Sequence, residues 1–153
     1  MILSPGQSLV SFVERWSKPA AYSIILLRNA GYPCVFYGDF YGIPHDNIEP
    51  MQELRTLIEL RKEKSYGEEH DYFDNPNIIG WTREGDEEHL QSGLAVIISN
   101  AGAGEKKMYV GTKFTGEKFI DCLGNCEDEI VIDGEGYGTF KVKEKSTSVW
   151  VEG

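Results

Sequence analysis

The side chains able to do chemistry are few, and their spacing is informative mainly for what it fails to assemble. The histidines His45, His70 and His89 lie far apart, and two are followed directly by an aspartate, in His45-Asp46 and His70-Asp71. No serine–histidine–carboxylate or cysteine–histidine set has a supporting context, so nucleophilic catalysis is not indicated. Cys122 and Cys126 have three residues between them and no histidine nearby, which does not make a zinc site. With Cys34 they form an odd, sparse set that reads as reduced thiols of a cytoplasmic protein. Carboxylates gather in Glu84, Asp86, Glu87 and Glu88 and in Glu127-Asp128-Glu129, each expected to be a solvated acidic turn. His70-Asp71 is expected to make a structural hydrogen bond. Trp81 and Trp150 sit in strand-like runs, where core packing is their commoner role, and Trp16 precedes the first helix.

The charge balance narrows the partners. Twenty-five acidic residues against 15 basic ones give a net charge of −10. Such a surface repels phosphate backbones and anionic lipid, so neither nucleic acid nor a membrane surface is expected, while a neutral partner is compatible. No apolar run approaches the ~20 residues of a membrane span. Met1–Gln7 lacks a basic segment leading into an apolar one, so no secretory signal is expected.

The elements that must position these residues fall into two halves of different grain. Pro19–Arg28 is a compact apolar stretch with Pro19 suited to a first helical turn, and its apolar residues predict a helix buried on several sides. Asn29, Ala30 and Gly31 stop it. Cys34–Tyr37 is a short continuous apolar run bounded by Pro33 and Gly38, which predicts a strand buried on both faces. Pro50–Lys62 places Met51, Leu54, Leu57 and Ile58 at helical spacing, with the other faces charged. From about Tyr66 the pattern becomes short alternating runs separated by glycine, asparagine and aspartate. These predict strands at Ile78–Thr82, Gly93–Ser99, Lys107–Val110, Lys118–Asp121, Ile130–Ile132, Tyr137–Val142 and Ser148–Val151. Strands so spaced suggest an antiparallel sandwich. The first half is odd on physical grounds. One buried parallel-type strand between two helices has no sheet of its own and would expose two edges. A chain of 153 residues cannot supply the rest of a (β/α)8 barrel, which needs about 250.

Several motifs carry a family resemblance. Pro5-Gly6-Gln7-Ser8-Leu9, the helix after Lys18-Pro19, and Gly31-Tyr32-Pro33-Cys34-Val35-Phe36-Tyr37-Gly38-Asp39 resemble the end of the catalytic barrel of bacterial α-amylases in glycoside hydrolase family 13. His70-Asp71-Tyr72-Phe73-Asp74, Ile79-Gly80-Trp81-Thr82-Arg83-Glu84-Gly85-Asp86, Ser92-Gly93-Leu94-Ala95 and Met108-Tyr109-Val110-Gly111 resemble the C-terminal domain of the same enzymes, the cytoplasmic branch more than the secreted one.

The resemblance implies an α+β chain in two parts. Residues 1–66 would be a helix–strand–helix remnant of a (β/α)8 barrel, and residues 67–153 an antiparallel, Greek-key-like β-sandwich. The parent enzyme would hydrolyse internal α-1,4-glucosidic bonds of starch- or glycogen-type glucans with retention, using a carboxylate pair about 5 Å apart. The last catalytic aspartate of the family would stand just before Pro5, where this sequence reads Met1-Ile2-Leu3-Ser4. No catalytic residue is therefore expected here, and the isolated chain is expected to be inactive. Asp39, after the barrel-type strand, would line the substrate cleft or simply form the turn leaving that strand, and His45 would touch sugar hydroxyls. A calcium ion held between barrel and C-terminal domain in some relatives would map onto Asn77 and Asn100. Both are neutral amides, so no metal or other cofactor is expected here, although the parent enzyme could carry calcium. An α-glucan is the partner implied for the parent. The edges of Cys34–Tyr37 would favour self-association. The competing expectation is a non-catalytic carbohydrate-binding or interaction module derived from such an enzyme.

Overall fold

The computed structural model describes residues 12–153, so the Pro5–Leu9 motif and the residues before it lie outside the described part. The chain begins with a helical layer. In α1 (Lys18–Leu27) Pro19 occupies the first turn, where its missing N–H costs nothing. Tyr22, Ser23, Leu26 and Leu27 turn inward, but Ile24 stays 40% exposed. The helix therefore buries one face and not several. Its last carbonyls find side-chain donors in place of a next turn. Arg61 Nη1 donates to Leu26 O at 2.5 Å, and Ser65 Oγ donates to Leu27 O at 2.8 Å. In α3 (Gln52–Glu63) Leu54, Leu57 and Leu60 are buried, with Met51 and Ile58 packed beside them, as the helical spacing requires.

The expected strand at Cys34–Tyr37 does not form. Tyr37 opens a short helix, α2 (Tyr37–Tyr41), and Cys34 and Tyr37 are exposed. An apolar run becomes a strand only where neighbouring strands take up its N–H and C=O groups, and among the described residues none flanks it. Its polar groups go elsewhere. Phe36 N–H donates to the Tyr22 hydroxyl at 3.3 Å, and Phe36 O accepts from the N–H groups of Asp39 and Phe40. Trp16 is 43% exposed, with its indole N–H donating to Glu14, and is not buried in packing.

The remainder is antiparallel sheet. The strands are β1 (Glu69–Tyr72), β2 (Ile78–Arg83), β3 (Leu94–Ser99), β4 (Gly104–Tyr109), β5 (Lys118–Asp121), β6 (Ile130–Val131), β7 (Tyr137–Val142) and β8 (Ser146–Glu152). Six of them form one sheet in the order β1-β2-β3-β8-β5-β6, and β4 pairs with β7 in a separate ribbon. Strand periodicity then assigns every core residue to a face. Leu94, Val96 and Ile98 of β3 and Val149 and Val151 of β8 meet Tyr22, Leu26, Leu54 and Leu57 of the helices. Ala95, Ile97 and Trp150 point the other way, against Met108, Phe140 and Val142 of the ribbon. The large sheet is thus the middle layer, with helices on one side and the β4–β7 ribbon on the other. Trp81 and Trp150 are fully buried, one on each face.

One buried carboxylate organises the turn after β5. Asp121 Oδ1 accepts from the N–H groups of Leu123 and Val149, and Oδ2 from those of Asn125 and Cys126, all at 3.0 Å. Among the described residues no helix is long and apolar enough to cross a membrane.

Candidate functional site

Asp39 is only 2% exposed, and it lies in α2, not in a turn leaving a strand. Its carboxylate meets Lys18 Nζ and accepts from the Tyr22 hydroxyl at 2.6 Å. Lys18 and Tyr22 are one helical turn apart, which sets both on the same face of α1. Burial, and secondarily the Asp39 hydrogen bond, push the Tyr22 phenol well above its ordinary range, so it remains a neutral donor. Asp39 O also accepts from Met51 N–H at 2.7 Å, tying the start of α3 to the same point. A cavity of about 270 Å³ opens beside this cluster, lined by Lys18, Asp39, Asn47, Glu49, Met51 and Gln52 among others. His45 does not line it. It sits in a one-turn 3-10 helix (Pro44–Asp46), 81% exposed, with Nε2 3.4 Å from Asp46. Lys18 and Tyr22 are the members that sequence reasoning missed. Their signal was a lysine and a tyrosine four residues apart on an otherwise apolar helix.

The structure does bring Asn77 and Asn100 together. The β2–β3 register pairs Ile78 with Ser99, and just beyond it Asn100 N–H donates to Asn77 O at 3.1 Å. Both residues are exposed. The carboxylate that precedes them in sequence, Asp74, is engaged by Lys106 at 2.5 Å, which holds its carboxyl below the usual range. Two neutral amides bring no charged oxygen to a calcium ion, whose affinity follows the number of charged oxygen ligands.

The Trp81–Asp86 run is where the sequence is most informative, because each residue has a separate task. Trp81 fills the helical side of the core. Thr82 Oγ1 donates to Tyr109 O at 2.5 Å, clamping the ribbon to the sheet. Arg83 is buried, and its guanidinium donates to Gly67 O and Ser65 Oγ. Glu84 Oε1 lies 2.5 Å from His70 Nε2, the structural hydrogen bond expected of His70. Asp86 accepts from His89 N–H and pairs with its ring at 2.8 Å, while that ring stacks on Tyr66 at 3.5 Å. Glu84 and Asp86 are therefore structural acids, and only Glu87 and Glu88 fit the solvated turn expected of this cluster.

The thiols differ in access. Cys34 is exposed, Cys122 half-buried and Cys126 buried, and none is in a disulfide. Burial, and then the charge of Asp121, push the Cys122 thiol up. A thiol reagent such as DTNB is expected to modify Cys34 within seconds in the native protein, and Cys122 and Cys126 only on unfolding. Prompt native labelling of Cys126 would contradict the described burial.

Residues 94–151 match the family described as Alpha-amylase C-terminal. The chain is 50% identical to the α-amylase of Geobacillus stearothermophilus over 96% of its own length and 27% of that enzyme. It is 36% identical to the cytoplasmic α-amylase of Escherichia coli over 96% of its length and 32% of that enzyme. Among solved structures, an Anoxybacillus α-amylase superposes with a TM-score of 0.59 at 12% identity, covering 88% of this chain and 31% of that one, a likeness of fold alone. The chain spans about a third or less of the length of these relatives. Over nearly its whole length it is similar to the C-terminal part of bacterial α-amylases, and residues 94–151 match the family described as Alpha-amylase C-terminal.

Proposed function

We propose that this chain supplies the closing barrel elements, in residues 1–66, and the C-terminal Greek-key-like sandwich, in residues 67–153, of a cytoplasmic α-amylase. The whole enzyme would hydrolyse internal α-1,4 bonds of starch- or glycogen-type glucans with retention. The observation that carries this reading is the outer face of the helical layer. Tyr32 is fully exposed, Tyr37 71%, Tyr41 56% and Ile24 40%. So much apolar surface on neighbouring elements marks a face made to be covered. A barrel wall would cover it, and barrel strands would give Cys34–Phe36 ladder partners. The backbone of Phe36 is already extended, at φ −75° and ψ 128°. Without a barrel the same face would drive association between copies. The free thiols support the cytoplasmic assignment.

The chain alone would not catalyse the reaction. Retention needs two carboxylates flanking the scissile bond, and the buried ones among the described residues, Asp39 and Asp121, are committed to internal partners. Trp81 and Trp150 are fully buried, so neither offers a ring face to a sugar. The test is complementation. Purified chain mixed with amylose is expected to release no reducing ends. Mixed with the separately expressed barrel portion of the Geobacillus relative, it should restore hydrolysis to a barrel that is inactive alone. Hydrolysis by the isolated chain, with contaminating amylase excluded, would sink the proposal.

A further inference from the structure

We propose that Glu68, His70 and Glu84 form a binding site for a divalent transition metal, zinc being the best chemical match. One ligand atom from each lies within 4.8 Å of the others. The sheet register makes this placement. Glu69 pairs with Arg83 and His70 with Thr82, and one step out Glu84 N–H donates to Glu68 O at 3.0 Å. Glu68 and Glu84 therefore stand directly opposite one another across the β1–β2 pair. The two-residue period sets His70 on the same face as Glu68.

Like charges directly opposite on a strand pair repel. Among the described residues no lysine or arginine forms an ion pair with either glutamate. Arg83, adjacent in sequence, is turned away onto Gly67 O and Ser65. The His70 imidazole lies 2.5 Å from Glu84, while the Lys113 ammonium in the same cavity donates to Ser92 O. A cation shared by all three would remove the repulsion, and the donor set selects its class. Calcium takes oxygen ligands, whereas one imidazole and two carboxylates suit zinc and its first-row neighbours. Tetrahedral bonds of about 2.1 Å place ligand atoms roughly 3.4 Å apart. The His70–Glu84 contact has only to open by about 1 Å, and Glu68, which is exposed, has only to swing in. The imidazole is steadied by Tyr109, whose ring meets it edge-on at 5.4 Å. A cavity of about 430 Å³ begins at Glu84 and Tyr109, so a three-ligand centre would keep an open position toward solvent.

The proposal is independent of the amylase reading and is tested without activity. The full 153-residue chain is freed of metal with a chelator and titrated with zinc chloride in a calorimeter at neutral pH. One zinc ion per chain is expected at this site, and calcium chloride should give no imidazole-dependent heat. His70→Gln and Glu84→Gln should each weaken zinc binding about tenfold or more, with native near-ultraviolet circular dichroism confirming that both fold. If either fails to fold, Glu68→Gln, at an exposed position, gives the same readout. Cys34→Ser, His45→Gln and His89→Gln should bind as the parent chain does. No zinc binding, or zinc binding retained in His70→Gln and lost in Cys34→Ser or His45→Gln, would overturn the proposal.

Discussion

Replacing Asp121 with alanine is expected to lower the free energy of unfolding by about 4 kcal/mol, measured by urea denaturation. The carboxylate accepts four backbone N–H groups, from Leu123, Asn125, Cys126 and Val149. Asp121 is 8% exposed and Val149 0%. Leaving a buried donor without an acceptor costs about 1–3 kcal/mol, and bonds to a charged acceptor lie at the upper end. Water can reach some of the freed groups at the turn, which keeps the total below a simple sum. The Val149 N–H is the exception, because it belongs to the middle strand of the sheet and has no route to solvent. Asp121→Asn should fall between the two proteins. Its amide oxygen can still serve one side of the turn, while its NH2 group must face two donors. A loss below about 1 kcal/mol for Asp121→Ala would show that the turn is held by packing alone.

That carboxylate illustrates where the sequence was legible and where it was not. Asp121 reads as the last residue of a strand, and β5 does end there. Nothing in the local pattern announces that its side chain turns back to collect N–H groups from its own loop and from β8, which lies far away along the chain. The apolar character of β3 and β8 was legible for the opposite reason. A strand flanked by a layer on each face must be apolar at both parities, and the apolar run from Leu94 to Ile98 is just that. β1 went unread because Glu69-His70-Asp71-Tyr72 has no apolar face, as befits a charged strand at a sheet edge. Cys34–Tyr37 was misread because continuous hydrophobicity says that a segment wants cover without saying which backbone geometry it takes. At Asp39 the residue stood out but its environment did not. Whether a carboxylate lines a cleft or anchors a helix depends on Lys18 and Tyr22, and only the folded chain brings those alongside.

Gly85→Ala is expected to destabilise the protein by about 3 kcal/mol or more, and the reason explains why Trp81–Asp86 is so particular. Gly85 has φ +74°, where an L side chain is strained by roughly 1–2 kcal/mol. A Cβ there would also stand 2.1 Å from Ser92 O, and backbone cannot yield by changing rotamer. The crowding is shared, since a Cβ on Gly67, at φ +81°, would lie 2.0 Å from Gly85 O. The two glycines allow three segments to meet. Gly85 N–H donates to Tyr66 O, Gly93 N–H to Lys64 O, and Asp86 N–H to Ser92 Oγ. Through this knot the end of α3 is tied to β2 and β3, so the helical layer and the sheet hold a fixed relation. Separating these backbones to admit a methyl group would also draw Arg83 off Gly67 O. For a domain of this size about 3 kcal/mol corresponds to a fall in Tm of roughly 6–12 °C, readable by thermal circular dichroism. Gly102→Ala is the matched control. A Cβ there meets nothing within 4 Å, so Tm should hold or rise slightly. Equal Tm values for the two variants would mean that the knot opens without cost and does not fix the helices on the sheet.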